Sequence, residues 1–452
     1  MSKIIENGGL QFEVFEDGSA NVIKGESTLT GELTIPASIE CEGKSYPVVL
    51  IGERAFSRCA RLTGITIPEG VQYIEKETFR HCMRLEKVIL PKSLVKIGEL
   101  AFEICHRLAS ITIPGSVSVI GKRAFADCQS LTSVTLAEGI KEIGENSFQN
   151  CLQLKGIVIP ESVDKINQGA FRGCTELISV MISKNVSRIP NEMFQGCSVL
   201  KNVILSEGIT EIGNDAFSRC VKLVNIKIPK SVTQIGRFAF YECAELTDVT
   251  IPEKVFKIGE DAFRGCVKLK SIKIPENVKV IESFVFGWCH ALTEIALPKG
   301  LVAIGGRAFE NCINLTEIKI PESVNKIGEG VFRNCRKLTS VSIPKGVTSI
   351  NNFVFEGCKS LTNIVIPEGV IEIGYGAFSG CNKLRSVRLP NSLQKIEPYA
   401  FDECWKLVDI EFPKHHIEID QGAFSDCYEL GKEIIPANAV EIKNWEFICH
   451  SH

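Results

Sequence analysis

The chain has 452 residues, with 51 Lys and Arg against 54 Asp and Glu (net −3) and 44% hydrophobic residues. A near-neutral balance with both signs scattered excludes the basic footprint of a nucleic-acid binder or of a membrane-surface patch. No apolar run approaches the roughly 18 residues of a membrane span, and MSKIIENGGLQFEVF lacks the apolar core and cleavage site of a secretory leader. The chain is therefore expected either to stay in the cytoplasm or to have lost a leader ahead of Met1. The first predicted elements are two strands in LQFEVFEDGSANVIKG, residues 10–25, joined by an Asp-Gly turn. TGELTIPASIECEGKSYPVVLIGERAF, residues 30–56, then reads as an expanded first copy of the repeat that follows.

From Cys59 a cysteine recurs every 23 residues to Cys427, 17 in register, with Cys41 and Cys449 outside the series. Phe stands three residues before each of them, Leu three after and Ile 15 after. Pro stands nine after, except at Ala137, Ser183 and Ser206. A fixed period of this length marks a solenoid. Within one unit, L-x-x-I-x-I-P alternates apolar and polar residues and predicts a strand ended by Pro. V-x-x-I-G adds inward apolar residues, and its Gly is expected to turn the chain through positive φ. A-F-x-x-C has room for one helical or 3-10 turn. Such a unit cannot bury its apolar side chains alone, so the units stack with strands in parallel. The predicted fold is an α/β repeat solenoid: a right-handed leucine-rich-repeat arc of 17–18 units with a parallel β-sheet on the concave face. At about 4.8 Å per strand the arc is roughly 80 Å long.

The cysteines allow three readings. Disulfides between stacked thiols meet a strand spacing wider than the roughly 3.5–4.5 Å between Cβ atoms that the bond needs. Zinc sites use C-x₂₋₄-C pairs, which are absent. The expectation is a small buried hydrophobe whose S–H helps satisfy backbone carbonyls.

The C/L/I/I-P/V/I-G/A-F pattern resembles the BspA-like leucine-rich repeats, the 23-residue class of bacterial surface proteins and some protozoa, over about residues 50–449. The segment before it is similar to that family's N-terminal cap. The expected divisions are residues 1–50 as hairpin cap and expanded first repeat, and 51–430 as the solenoid. Residues 431–452 are expected to form a degenerate last repeat that caps the other end, as indicated by Lys432 and Glu433 beside Leu430 and Ile435, by Asn444, and by Lys443 where the repeat has Gly. The resemblance implies a non-catalytic binding module, often an adhesin displayed on the cell surface. It thus sets a surface or secreted location beside the cytoplasmic one.

Function is expected at the variable positions of the strands. The residue seven after each Cys, flanked by those at four and five, points out of the predicted concave face. Val158, Met181 and Ile204 are consecutive in that column, with Ile178 and Val224 beside them. They predict an apolar contact patch. Lys227, Lys273 and Lys319, with Lys201 adjoining, predict a basic stretch. The competing reading is that β-branched residues favour strands even outward and that lysines keep a sheet soluble. A second candidate surface is the column before the Ala position, Phe238, Phe284, Phe353, Tyr399 and Trp445. These aromatics contact a partner or cover the flank by packing on neighbouring long side chains. No phosphate loop, G-x-S-x-G or H-E-x-x-H occurs. The expectation is therefore no catalytic residue, no cofactor and no metal. A protein partner is expected on a monomeric scaffold, with no nucleic acid and no membrane insertion. The alternatives are an adhesin for host matrix proteins and a passive structural spacer.

Overall fold

Two short strands form in each 23-residue period of the computed structural model, which describes residues 2–26 and 28–431. The expected C-terminal cap, Cys449 and Trp445 lie outside the described residues. In Ser110–Ile113 the alternation of the sequence sends Ile111 and Ile113 inward and leaves Ser110 and Thr112 outward. This strand pairs in parallel with Ser133–Leu136, each residue opposite the one 23 further on. A second parallel ladder, of two-residue strands, runs through the V-x-x-I segment, as in Lys96–Ile97 against Val119–Ile120. The V-x-x-I segment thus forms a ladder of its own, beyond the inward side chains expected of it.

At the start, β1 (Lys3–Asn7), β2 (Leu10–Val14) and β3 (Ala20–Gly25) form an antiparallel sheet. The two strands expected around Asp17-Gly18 are β2 and β3. Gly18 has φ 89°, and Asp17 Oδ1 accepts the Ser19 N–H at 2.9 Å. β4 (Gly31–Thr34) opens the first ladder by pairing with Leu62–Thr66. β5 (Ser38–Cys41) and β6 (Lys44–Ile51) form a hairpin over Glu42-Gly43, and β6 lies parallel to β3. The cap therefore passes its open edge directly to the repeats.

The chain forms two compact units that divide between Ser231 and Val232. The same coil is stacked in each. In each unit Phe rings stack in a file through the core, with neighbouring centroids 5.1 Å apart at Phe56–Phe79 in the first and 5.2 Å at Phe240–Phe263 in the second.

The A-F-x-x-C segment departs from expectation, since no helix forms among the described residues. It is a run of tight turns. Ala55, Ser57 and Cys59 bond back three residues, while Arg54, Phe56 and Arg58 donate to Lys76 O, Thr78 O and Arg80 O of the next coil at 2.8–3.0 Å. Arg54 and Arg58 are left-handed, with φ 56° and 64°. A left-handed residue at every fourth position stops a helix and turns the intervening N–H groups toward the neighbouring coil. The glycine of I-G also departs from expectation. Gly98 and Gly121 do not have positive φ, but a Cβ on either would stand 2.6 Å or 2.5 Å from backbone carbon of the preceding coil. Glycine is required there by close approach of two backbones.

All 17 in-register cysteines are buried and form no disulfide. Cys82 Sγ donates to Phe56 O at 3.1 Å, Cys151 Sγ to Phe125 O at 3.3 Å and Cys427 Sγ to Phe401 O at 3.1 Å. The thiols are a scaffold feature.

Candidate functional site

Strand alternation builds the apolar patch in the first unit. Ile157, Val180 and Val203 enter the core, so Val158, Met181 and Ile204 must face out, and they are 66%, 49% and 60% exposed. Parallel pairing sets them in one row, Val158 opposite Met181 and Met181 opposite Ile204. Three residues earlier in each coil lies a second row of Lys155, Ile178, Lys201 and Val224, all exposed. Ile178 N–H donates to Lys155 O at 3.0 Å, and Lys201 N–H to Ile178 O at 2.9 Å.

Between these rows stand Gly156, Ser179 and Asn202. The only atom within 4 Å of a Cβ built on Gly156 is Ser179 O, at 4.0 Å. A hollow of about 420 Å³ opens there, with Leu136, Gly156, Val158, Met181 and Ile204 among its walls. Two of the coils lacking the usual proline border this patch. Their hydroxyls are turned to backbone, Ser206 Oγ to Ser183 O at 3.1 Å and Ser183 Oγ to Glu161 O at 3.4 Å.

The electrostatics of this face are one-sided. From Ala109 to Lys227 the three outward columns carry Lys155, Lys201 and Lys227 and no carboxylate. Among the described residues these three lysines make no ion pair. At the rim, by contrast, Lys184 Nζ lies 3.5 Å from Glu161 Oε2. The structure thus gathers Val158, Ile178, Met181, Lys201, Ile204, Val224 and Lys227 on one face. Lys273 and Lys319 belong to the second unit. Both are exposed, and Lys273 is held by Glu253 at 2.9 Å. Lys155 and Gly156 were missed by the sequence reading. The signal was available in the run of carboxylate-free positions four, five and seven after each Cys.

The aromatic column of the second unit packs on itself. Phe238, Phe284, Phe353 and Tyr399 occupy the left-handed turn position, with φ 54–59°. The Arg264 guanidinium lies 4.7 Å from the Phe284 centroid and 4.4 Å from that of Trp288, and Asp261 accepts from it at 3.0 Å. Arg237 covers Phe238 at 4.7 Å and Arg333 covers Phe353 at 5.3 Å. Tyr375 meets Phe353 and Tyr399 edge-on, at 5.3 and 5.6 Å. Glu310 is buried near these arginines, and burial pushes its carboxyl above the usual carboxylate range. Cations thus already occupy several of the ring faces a partner would use. Among the described residues no three His, Cys, Asp or Glu side chains are grouped to hold a metal.

The architecture has known counterparts. The profile of the BspA type leucine-rich repeat region matches residues 49–178, 164–290, 257–371 and 325–451. Among solved structures, a leucine-rich repeat protein from Bacteroides ovatus is 28% identical, with a TM-score of 0.73 over 90% of this chain and 100% of that one. A leucine-rich cell surface protein from Faecalibacterium prausnitzii is also 28% identical, over 90% of this chain and 94% of that one, with a TM-score of 0.43. The pneumococcal vaccine antigen PcpA is 21% identical, over 91% of this chain and 99% of that one, with a TM-score of 0.47. No curated protein matches the sequence. The profile runs almost without a break from the end of the N-terminal hairpins, and the thiol, Phe and Ile files give its pattern a physical basis: the chain belongs to the BspA-type leucine-rich-repeat family.

Proposed function

We propose that this protein is a non-catalytic scaffold that binds a protein partner on the outward face of its first strand ladder, the face taken from sequence as concave. The contact is centred on Val158, Met181 and Ile204. The observation that carries this reading is three consecutive exposed aliphatic side chains around one hollow, in a stretch, Ala109 to Lys227, whose outward columns hold no carboxylate. Exposed apolar residues scattered singly need no explanation, whereas a contiguous row with a hollow has the form of an interaction site. Burying three such side chains contributes a few kcal/mol at about 25 cal/mol per Å², enough to dominate a modest interface.

The double substitution Met181→Asp/Ile204→Asp tests it. Both side chains point away from the core, so the thermal midpoint is expected to stay within about 2 °C, as for most surface changes. Proteins retained on the immobilised wild-type chain are expected to be lost from the double variant. Retention of the same proteins by a folded double variant excludes the patch as the contact surface.

A further inference from the structure

We infer that the partner segment is an extended, acidic stretch of polypeptide that runs along the stack of strands and seats one aliphatic side chain in the hollow over Gly156. This inference rests on the protein-binding role proposed above and adds the chemistry of the partner. Three features of the face point to it. Its charges are all of one sign, since Lys155, Lys201 and Lys227 have no carboxylate within the outward columns and no ion-pair partner among the described residues. Its centre is apolar and concave where Gly156 leaves the space that a side chain would fill. Its spacing fits an extended chain. Lys155 and Lys201 are two coils apart, about 10 Å at the strand separation, and an extended chain advances about 3.3 Å per residue. Side chains on one side of an extended chain recur every second residue. Two acidic residues four positions apart, about 13 Å at that rise, therefore face the same way. With the reach of the long lysine side chains they meet both lysines, and the residue midway between them lies over the hollow. Lys227, one coil beyond Ile204, stands at the end of the neighbouring row of Val158, Met181 and Ile204.

A nucleic acid is the other polyanion to weigh. Single strands are held by basic grooves that also stack bases on aromatic rings, and from Ala109 to Lys227 the outward columns contain no aromatic residue. A carboxylate-bearing peptide with an aliphatic anchor uses what the face offers.

The test uses the full chain and three fluorescein-labelled twelve-residue peptides in a Gly/Ser background. Each carries one leucine midway between two residues four positions apart, which are Glu, Gln or Lys. Fluorescence anisotropy is read at low salt and at half-molar salt. The Glu peptide is expected to bind about tenfold tighter than the Gln peptide at low salt. The Lys peptide is expected to bind weakest, and the differences should shrink at high salt, where surface charges are screened. Lys155→Glu/Lys201→Glu should reverse the order of the Glu and Lys peptides. Gly156→Leu should weaken the Glu peptide at least fivefold and leave unchanged a Glu peptide with alanine in place of leucine.

Equal binding of the Glu and Gln peptides, both lost in Met181→Asp/Ile204→Asp, overturns the acidic partner and leaves protein docking standing. Peptide binding that is the same in wild type and in that double variant removes the docking reading itself. Displacement of the Glu peptide by a single-stranded RNA oligomer at lower concentration overturns the inference in favour of nucleic acid. A concentration-dependent dimer in light scattering that Ile204→Asp abolishes overturns it in favour of a second copy of the chain.

Discussion

The backbone carbonyl of each core Phe belongs to a buried residue and has two lone pairs to satisfy. Phe56 O accepts the Cys59 N–H at 3.1 Å within its own coil and the Cys82 thiol at 3.1 Å from the next. A thiol suits this corner because it packs as a hydrophobe and still donates, so no buried acceptor is left short. Burial keeps these thiols protonated. Desolvation pushes Cys174 and Cys289 up to about 12, and Cys105, Cys151 and Cys266 well above the ordinary value of 9.0. The linkage follows in sign. The folded state holds protons that the unfolded chain releases near pH 9, so stability is complete below that value and falls as pH rises toward the folded values. Each such thiol costs up to about 1.4 kcal/mol per pH unit in that window, and the array makes the sum steep. The urea midpoint is expected to begin to fall above about pH 8 and to drop sharply by pH 10.5. In the same way, the in-register thiols should react with a thiol reagent at pH 8 only after denaturant is added. A midpoint unchanged at pH 10.5 would mean that the thiols are not shielded in solution.

Two ladders per coil, joined by tight turns, leave little space between successive backbones, and the I-G corner is where they come closest. Gly98→Ala would set a Cβ 2.6 Å from Glu75 C and 2.8 Å from Ile74 O, both backbone atoms that cannot rotate away. Overpacking of this kind costs about 1–3 kcal/mol, and Gly98→Ala is expected to lower the urea midpoint accordingly. Gly156→Ala, where only Ser179 O comes within 4 Å of the new carbon, is expected to lower it little. Equal effects would show that the coils have slack at the I-G corner. The same corner shows why part of the fold was legible in sequence and part was not. Phe, Cys, Leu and Ile announce themselves because each fills one core position in every coil. A two-residue strand such as Lys96–Ile97 is too short for alternation to register. A glycine needed for close approach carries the same letter as one needed for positive φ. The left-handed turn residues carry no letter of their own, since Arg54, Glu77, Leu100 and Phe238 all occupy that position. At the candidate site the outward direction of Val158, Met181 and Ile204 followed from the alternation. The hollow depended on a side chain that is missing at Gly156, and the lysine row on acids missing from three columns. A reading that looks for chemistry-bearing residues passes over both.

Across each unit the interactions that join coils span close to one period. Arg54 reaches Glu77, Arg80 reaches Glu103, and the Glu69 carboxylate accepts the Lys92 N–H. In the second unit Phe355 stacks on Phe378 at 5.2 Å, and Phe378 on Phe401 at 5.1 Å. A coil therefore recognises the next coil by register and hardly by identity, and stability is close to a sum of coil and interface terms. Removing residues 359–381, one full period, should let Phe355 stack on Phe401 and bring the Cys404 thiol to Phe355 O, the place now taken by Cys381. The shortened chain is expected to keep its β-sheet circular dichroism and a cooperative melt, losing only the contribution of one coil and one interface. Removing 20 residues, 362–381, is expected to abolish the cooperative melt of the second unit. The joined coils would then stand three residues out of register, and three is odd, so the next strand would turn its apolar face to solvent. Binding through Val158, Met181 and Ile204 should survive the 23-residue deletion, because those residues and the coils on either side of them belong to the first unit. If the two deletions melt alike, the coils are not interchangeable and the stacking depends on the identity of each neighbour.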